Sequence, residues 1–291
     1  MRQTHVTRRL TFALLVPLLV LAAAAVPDDR AAAPGSPPGL SVDLRVMSFN
    51  IAHGWGDLDR TAEVIADSGA EVIALQEVDV AWGERSDFAD QAQELADTLD
   101  MHVFFAPIYT YEPVDEGLPP QQYGLAMLSE YPIVDATNHE IARLSTQDED
   151  PQPEPMPGFP HVTVNVRGVE VDVYNTHLDF RGDPFVREEQ VADMLEVIGD
   201  DPGPAVLMGD LNAPPGAPEL GPLFEVFDDA WQLAGDGDGF TFPAPDADAR
   251  IDYVLTSPDL DVTAASVIET DASDHRPVVA DVVMARETGR S

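Results

Sequence analysis

The sequence predicts an α/β fold with mixed β-sheets. Short apolar runs alternate with helically periodic segments in the first half of the folded region, and strand-like pairs around tight turns dominate the second. Apolar residues make up 44% of the 291, enough for a substantial buried core. From Val42 onward there is no second linker and no internal repeat, so one large domain is expected.

The elements follow in order. "DLRVMSFNI" is a β-run leading into a turn at His53-Gly54, after which Leu58, Ala62, Ile65, Ala66 and Gly69 fall at helical spacing. "EVIALQEV" reads as a strand, 88–99 as a helix, and "HVFFAP" and "YGLAMLS" as strands. "HVTVNV-RG-VEVDVYNTHL" is a hairpin around a tight turn. A helix fits 184–198, "PAVLMG" is a strand, and further strands are expected at 251–256, 260–268 and 277–284. Two proline-rich acidic stretches, 111–122 and 145–158, read as loops, the second as a solvated insertion.

Composition narrows the chemistry. The absence of cysteine excludes disulfides, thiolate metal sites and a cysteine nucleophile. The formal charge is −38, from 15 basic residues, all of them arginine, and 53 acidic ones. At low salt such a surface repels polyanions, but at high ionic strength the repulsion is screened. Adaptation to high salt is the preferred reading. A high-GC genome with an acidic extracellular habit is the other, and neither decides for or against a nucleic-acid substrate.

The N-terminus carries an export signal. "MRQTHVTRRL" is basic, and the 16-residue apolar run "TFALLVPLLVLAAAAV" is short for a membrane span and ends in small residues. Residues 1–25 are therefore expected to be a signal peptide of the Sec type, or of the twin-arginine type through Arg8-Arg9, with an uncleaved anchor as the alternative. The protein is then secreted or extracytoplasmic. Residues 26–42, including "DDRAAAPGSPPGL", read as a linker, 43–285 as the folded domain and 286–291 as a tail.

Polar residues terminate one apolar strand after another. They are Asn50 in "MSFNI", Glu77 in "IALQEV", Asn175 and His177 in "VYNTHL", Asp210 and Asn212 in "LMGDLN", Asp252 in "RIDYV", and Asp274 and His275 in "SDHRP". One such residue is punctuation. A series on different strands is what a polar site at one sheet edge needs. Hard carboxylate oxygens at Glu77 and Asp274 suit Mg2+ or Mn2+. Without cysteine or an H-E-x-x-H spacing, a zinc protease is disfavoured. The residue set points to metal-assisted hydrolysis of a phosphate ester.

"MSFNI", "LQEVD", "NTHLD", "GDLNAPP", "RIDYVLTS" and "SDHRPVVA" stand in the order found in the endonuclease/exonuclease/phosphatase superfamily, and the chain resembles that superfamily from about Leu44 to Met284. The resemblance is greatest to its small bacterial metal-dependent hydrolases, through "NIAHGWGDLDR", "ERSDFADQAQELA" and "YGLAMLSEYPI". It implies a DNase I-like four-layer α/β sandwich, two packed mixed sheets with helices outside. By resemblance Glu77 is the principal metal ligand, with Asn50 and Asp274 completing the metal environment. Asp210 orients or deprotonates the attacking water, and Asn212 holds the water or the phosphate. His275, oriented by Asp252, contacts the phosphate and takes part in proton transfer, and His177 donates to a phosphate oxygen.

The remaining candidates have plainer readings beside the functional one. His53 and Asn175 are candidate substrate contacts; His53 serves equally as a loop cap. Arg85 could grip a phosphate or pair at the surface. Tyr123 is a further candidate at the phosphate. Asp252 could pair with Arg250. At "PEPMPGFPHV" relatives lead to the expectation of an arginine near the strand start, and prolines stand there instead. The expected substrate is a phosphodiester, nucleic acid and phospholipid headgroup not being distinguished, with nuclease, lipid phosphodiesterase and phosphomonoesterase as alternatives. A non-catalytic binding module is disfavoured because Glu77, Asp210 and His275 are all present. No stable protein partner is expected, and the chain is read as a monomer.

Overall fold

The structure, a computed structural model, describes residues 41–55 and 57–286. The signal segment, nearly all of the expected linker and the last five residues lie outside the described part. The first strand begins at Ser41, two residues inside the stretch expected to be linker. Among the described residues no helix is long and apolar enough to cross a membrane.

Two six-stranded mixed sheets pack face to face. The first contains β1 (Ser41–Asn50), β2 (Val72–Val80), β3 (His102–Tyr111), β4 (Gln121–Ser129), β11 (Leu260–Val267) and β12 (Val278–Ala285), in the order β11-β12-β1-β2-β4-β3. The second contains β5 (Ile133–Arg143), β6 (Glu154–Val166), β7 (Val169–His177), β8 (Ala205–Asp210), β9 (Asp228–Asp229) and β10 (Asp252–Thr256), in the order β5-β6-β7-β8-β10-β9. Side chains alternate between faces along each strand, so the sequence parity of a strand residue decides its layer. Val42, Leu44 and Val46 of β1 meet Val171, Val173, Val206, Met208 and Val254 in the core between the sheets. Met47, Phe49, Ile73 and Leu75 turn outward beneath α1 (Leu58–Ser68) and α2 (Gln91–Leu99). Tyr174, Leu207, Tyr253 and Leu255 turn outward beneath α3 (Phe185–Ile198). The result is the four-layer sandwich that the resemblance implied.

Local chemistry explains most boundaries. Asp57 caps α1 by accepting from the Arg60 amide, and Gly69 at φ 66 ends it. Asp90 caps α2 through the Gln93 amide, so this helix starts three residues later than the periodicity suggested. The β6–β7 hairpin turns on Arg167-Gly168, both at positive φ, as a two-residue hairpin loop requires.

The proline-rich stretch departs from its expected loop. Residues 154–158 open β6 and pair with β5, a strand absent from the sequence reading. Residues 154–160 pair only with β5, because β7 joins β6 from His161 onward, so the prolines sit where one side needs no ladder donor. β5 is an edge strand with a largely exposed surface, and its apolar pattern is correspondingly weak.

Candidate active site

The inward parity that builds the core also builds the site. Beyond the last inward apolar residues of neighbouring strands come Asn50 after Val46 and Ser48, His177 after Val173 and Asn175, Asp210 after Met208, and Asp252 beside Val254. Register aligns them: His177 pairs with Asp210 across the parallel β7–β8 ladder, and Asp252 pairs with Asp210 across the antiparallel β8–β10 ladder. Three polar side chains thus stand side by side at one end of the sandwich, where the apolar filling stops.

Glu77 needs a different device. The β2–β4 ladder shifts between Leu75 and Val78, and Glu77 occupies the left-handed region at φ 58. Before the bulge the odd residues Ile73 and Leu75 face the helices; after it the even residues Val78 and Val80 do. The bulge resets parity and projects Glu77 into the same pocket. Asn175 braces the bulge from the opposite sheet. Its amide donates to the carbonyls of Leu75 (2.9 Å) and Ala126 (3.1 Å), and its Oδ1 accepts from Gln76 at 2.7 Å. Asn175 is completely buried and its bonds lie inside the protein, so it is not a substrate contact as expected; the polar atoms at the core's edge are satisfied internally.

Gly209 has an equally local reason. A Cβ there would stand 2.1 Å from the Thr176 carbonyl oxygen, so only glycine lets β8 lie against β7 where Asp210 follows. Next, Asn212 at φ 49 turns the chain, its amide N–H donating to Asp210 Oδ1 at 2.8 Å and its side chain to the Leu178 carbonyl at 2.9 Å.

Around Asp210 the groups form one connected network. Asn50 donates to Asp210 Oδ2 at 3.1 Å and to Glu77 Oε1 at 3.2 Å, joining the two carboxylates. Its Oδ1 accepts from the Ala52 amide. His177 Nε2 lies 3.5 Å and His275 Nε2 3.7 Å from Asp210 Oδ2. His275 Nδ1 lies 3.0 Å from Asp252 Oδ2, the Phe242 ring packs 4.7 Å from its imidazole, and its backbone amide donates to Ser273 Oγ. Asp252 therefore faces His275, and Arg250 pairs with Asp229 instead.

Burial and charge set the protonation of these groups. Burial alone would depress His275, but the charge and hydrogen bond of Asp252, with Asp210 and Asp274, push it up to about 10. Burial and the neighbouring Asp252 raise Asp210 above the ordinary carboxylate range, against the opposing pull of His177, His275 and the Asn212 amide. Burial would raise Glu77 as well, yet His53, His177, Asn50 and His275 hold it down to about 2. The result is one ionised carboxylate, one carboxylate of raised basicity and one stabilised imidazolium facing a common space.

That space is a pocket of ≈ 350 Å³, lined by Glu77, His177, Asp210, Asn212, Asp274 and His275 together with Tyr109, Tyr123, Arg143, Asp179, Phe180 and Phe242. Tyr123 is thus brought to the site, stacked on Tyr109 and packed against Trp82. Arg85 does not line it: its guanidinium lies over the Tyr123 ring and forms a two-pronged pair with buried Asp79 at 2.6 and 2.8 Å, an ion pair rather than the phosphate grip. His53 flanks Glu77, its Nδ1 3.6 Å from Oε2, and opens onto a neighbouring smaller pocket. Arg143 and Phe242 escaped the sequence reading. Arg143 closes the unforeseen β5, and its one available signal was the scarcity of cations in so acidic a chain.

Two groupings could hold a divalent cation. Asp210, Asp252 and His275 have ligand atoms within 4.8 Å of one another, but His275 Nδ1 and Asp252 Oδ2 are already joined. Glu77, kept ionised at the bulge, and Asp274 present hard oxygens to the pocket and fit Mg2+ or Mn2+ better.

Known proteins are similar to this chain in structure or in sequence. An endonuclease/exonuclease/phosphatase structure from Beutenbergia cavernae is 28% identical with a TM-score of 0.69, covering 84% of this chain and 72% of that one. The mannosyl-6-phosphatase of Bacteroides thetaiotaomicron is 18% identical with a TM-score of 0.60, over 82% of this chain and 99% of its own. Protein cwh43 of Schizosaccharomyces pombe is 28% identical over 151 residues, 52% of this chain but 14% of that much longer protein. Residues 47–275 match the endonuclease/exonuclease/phosphatase family model, a span that runs from β1 to His275 and takes in every strand end described above. The chain belongs to the endonuclease/exonuclease/phosphatase family, hydrolases of phosphoester bonds.

Proposed function

We propose that the protein is a secreted, divalent-cation-dependent phosphodiesterase in which an activated water attacks phosphorus in line. The observation that carries this reading is the Asp210 environment. A buried carboxylate of raised basicity lies within 3.7 Å of two histidines, one of them held protonated by a second carboxylate.

In this mechanism Asp210 accepts the proton of the water as its oxygen bonds to phosphorus, and Asn212 orients that water. The bond from phosphorus to the leaving oxygen breaks, and His275 supplies the proton that the departing alkoxide takes up. Asp252 keeps the imidazole oriented and charged. His177 donates to a non-bridging oxygen as negative charge builds there. Glu77 and Asp274 would hold the Mg2+ or Mn2+, with Asn50 fixing the other Glu77 oxygen. When bound, the ion supplies charge neutralisation at the phosphate oxygens.

The diester reading rests on shape. The pocket extends past the reacting groups to an aromatic and apolar wall at Ile108, Tyr109, Tyr123 and Phe180, room for a second ester substituent. The N-terminal basic and apolar segment supports export. Rates on bis-p-nitrophenyl phosphate and p-nitrophenyl phosphate, measured after chelation and after Mg2+ or Mn2+ is restored, test the reading. Restored cleavage with the diester favoured supports it; cleavage indifferent to chelator, or a preference for the monoester, overturns it.

A further inference from the structure

The pocket of this strongly acidic protein contains a cation that forms no ion pair with a carboxylate. Arg143 is 7% exposed, and its guanidinium donates only to backbone carbonyls: Nε to Pro157 at 3.1 Å, Nη1 to His177 at 3.1 Å and Nη2 to Gly158 at 2.7 Å. Among the described residues every other arginine except the exposed Arg286 has a carboxylate partner. The nearby carboxylate of Asp179 is paired with Arg181 instead. Burial pulls the Arg143 guanidinium down to about 10, and Tyr109, Tyr123 and Asp179 oppose that pull without overcoming it.

The fold preserves room for this side chain. Gly158 sits at φ 115, and a Cβ there would lie 3.1 Å from Arg143 Nη2 and 2.3 Å from Ile108 Cγ1. A guanidinium has five N–H donors in a rigid fork, so three carbonyl bonds leave two donors unused and no carboxylate in contact with the charge. Arg143 lines the same pocket as Glu77, His177 and Asp210. It contacts the His177 carbonyl, which lies in the plane of the sheet, whereas the His177 ring leaves that plane toward Asp210. The guanidinium is therefore set to one side of the reacting centre, toward Ile108, Tyr109 and Tyr123.

We propose that Arg143 is the anion-binding residue of a second subsite, and that the substrate is a small phosphodiester carrying a further phosphate or carboxylate beside its scissile phosphate. The inference rests on the phosphodiesterase reading. The scissile group already meets His177, His275 and the cation site of Glu77 and Asp274; the fork of Arg143 adds a two-pronged grip on a separate anion. The size of the pocket, ≈ 350 Å³, falls in the range of small-molecule sites and leaves space for both groups.

A matched substrate pair tests this: the p-nitrophenyl ester of thymidine 5′-phosphate with and without a 3′-phosphate, assayed with Mg2+ or Mn2+. The bond cleaved is the same in both, and only the second anion differs. A charge-assisted pair in a buried site predicts a kcat/KM about tenfold or more higher for the 3′-phosphorylated ester. In Arg143→Met that ratio falls to near one, whatever happens to the shared rate. If Arg143 serves only to hold the backbone of His177, both rates fall together and the ratio survives, which overturns the proposal. A ratio near one in the unaltered protein also overturns it while leaving the phosphodiesterase reading intact. No cleavage of either ester defeats both. Should Arg143→Met not fold, competitive inhibition of the unaltered protein decides: thymidine 3′,5′-bisphosphate is expected to bind about tenfold more tightly than thymidine 5′-phosphate, and equal inhibition overturns the proposal.

Discussion

Replacing Asn175 with alanine separates a brace from a substrate contact. The change deletes three buried hydrogen bonds, to Leu75, Ala126 and Gln76, at 2.9, 3.1 and 2.7 Å. At about 1 kcal/mol each, the expected loss is about 3 kcal/mol. The two stranded carbonyls flank the bulge, so the loss also loosens the segment that holds Glu77 at positive φ. For a domain of this size each kcal/mol lowers the melting temperature by about 2–4 °C, giving a fall of about 6–12 °C. Thermal and urea unfolding followed by circular dichroism measure it, with kcat and KM taken on the folded protein at a lower temperature. The brace predicts a large fall in stability and a higher concentration of Mg2+ or Mn2+ needed for half-maximal activity, through the displaced Glu77. A melting temperature within about 2 °C of the unaltered protein, together with a raised KM, would refute the reasoning and return Asn175 to the substrate.

Other expectations follow from the same geometry. Asp252→Asn removes the main charge that sustains the imidazolium of His275, and kcat is expected to fall by about 10²–10⁴. His275 has a raised folded value, so its stabilising contribution is complete below the unfolded value near 6.5 and is lost as pH rises through about 10. In Asp252→Asn that decline in thermal stability is smaller and ends nearer neutrality, and an unchanged profile would contradict the pairing. Asp210 works as a base only when ionised, and its value is raised, so kcat/KM falls as pH drops through a limb above the ordinary carboxylate range. A limb at or below pH 4 would argue against that role. Gly209→Ala forces a Cβ against the Thr176 carbonyl, with an expected cost of roughly 3 kcal/mol in chemical denaturation. If the charge of −38 reflects adaptation to salt, the melting temperature rises steeply between low and molar KCl; a flat response would exclude that origin.

Much of the fold was legible because parity is legible. "RVMSFNI" and "AVLMGD" are buried on both faces, so they read as strands, and their final polar residues stood out as exceptions. The hairpin at Arg167-Gly168 announced itself by its turn residues. β5 did not, because an edge strand with an exposed face lacks the apolar alternation that marks a strand, and prolines masked the start of its partner β6. At the site, Asp210, Asp252 and His275 were readable as strand ends, and the structure brings them together. The error at Asn175 has a clear source: a strand-end amide facing inward looks the same in sequence whether it meets a ligand or a bulge on the opposing sheet. Arg143 was invisible because what sets it apart is that it bonds to backbone carbonyls and to no carboxylate, which only the packed structure reveals.

The central claim is that Asp210 and His275 perform phosphodiester hydrolysis together, and single-turnover cleavage of bis-p-nitrophenyl phosphate by Asp210→Ala, His275→Ala and the double variant tests it most directly. The account predicts that each single change lowers the rate at least a hundredfold and that the double change is scarcely worse than either, because the pair acts as a unit. Single variants retaining a tenth or more of the unaltered rate would contradict it.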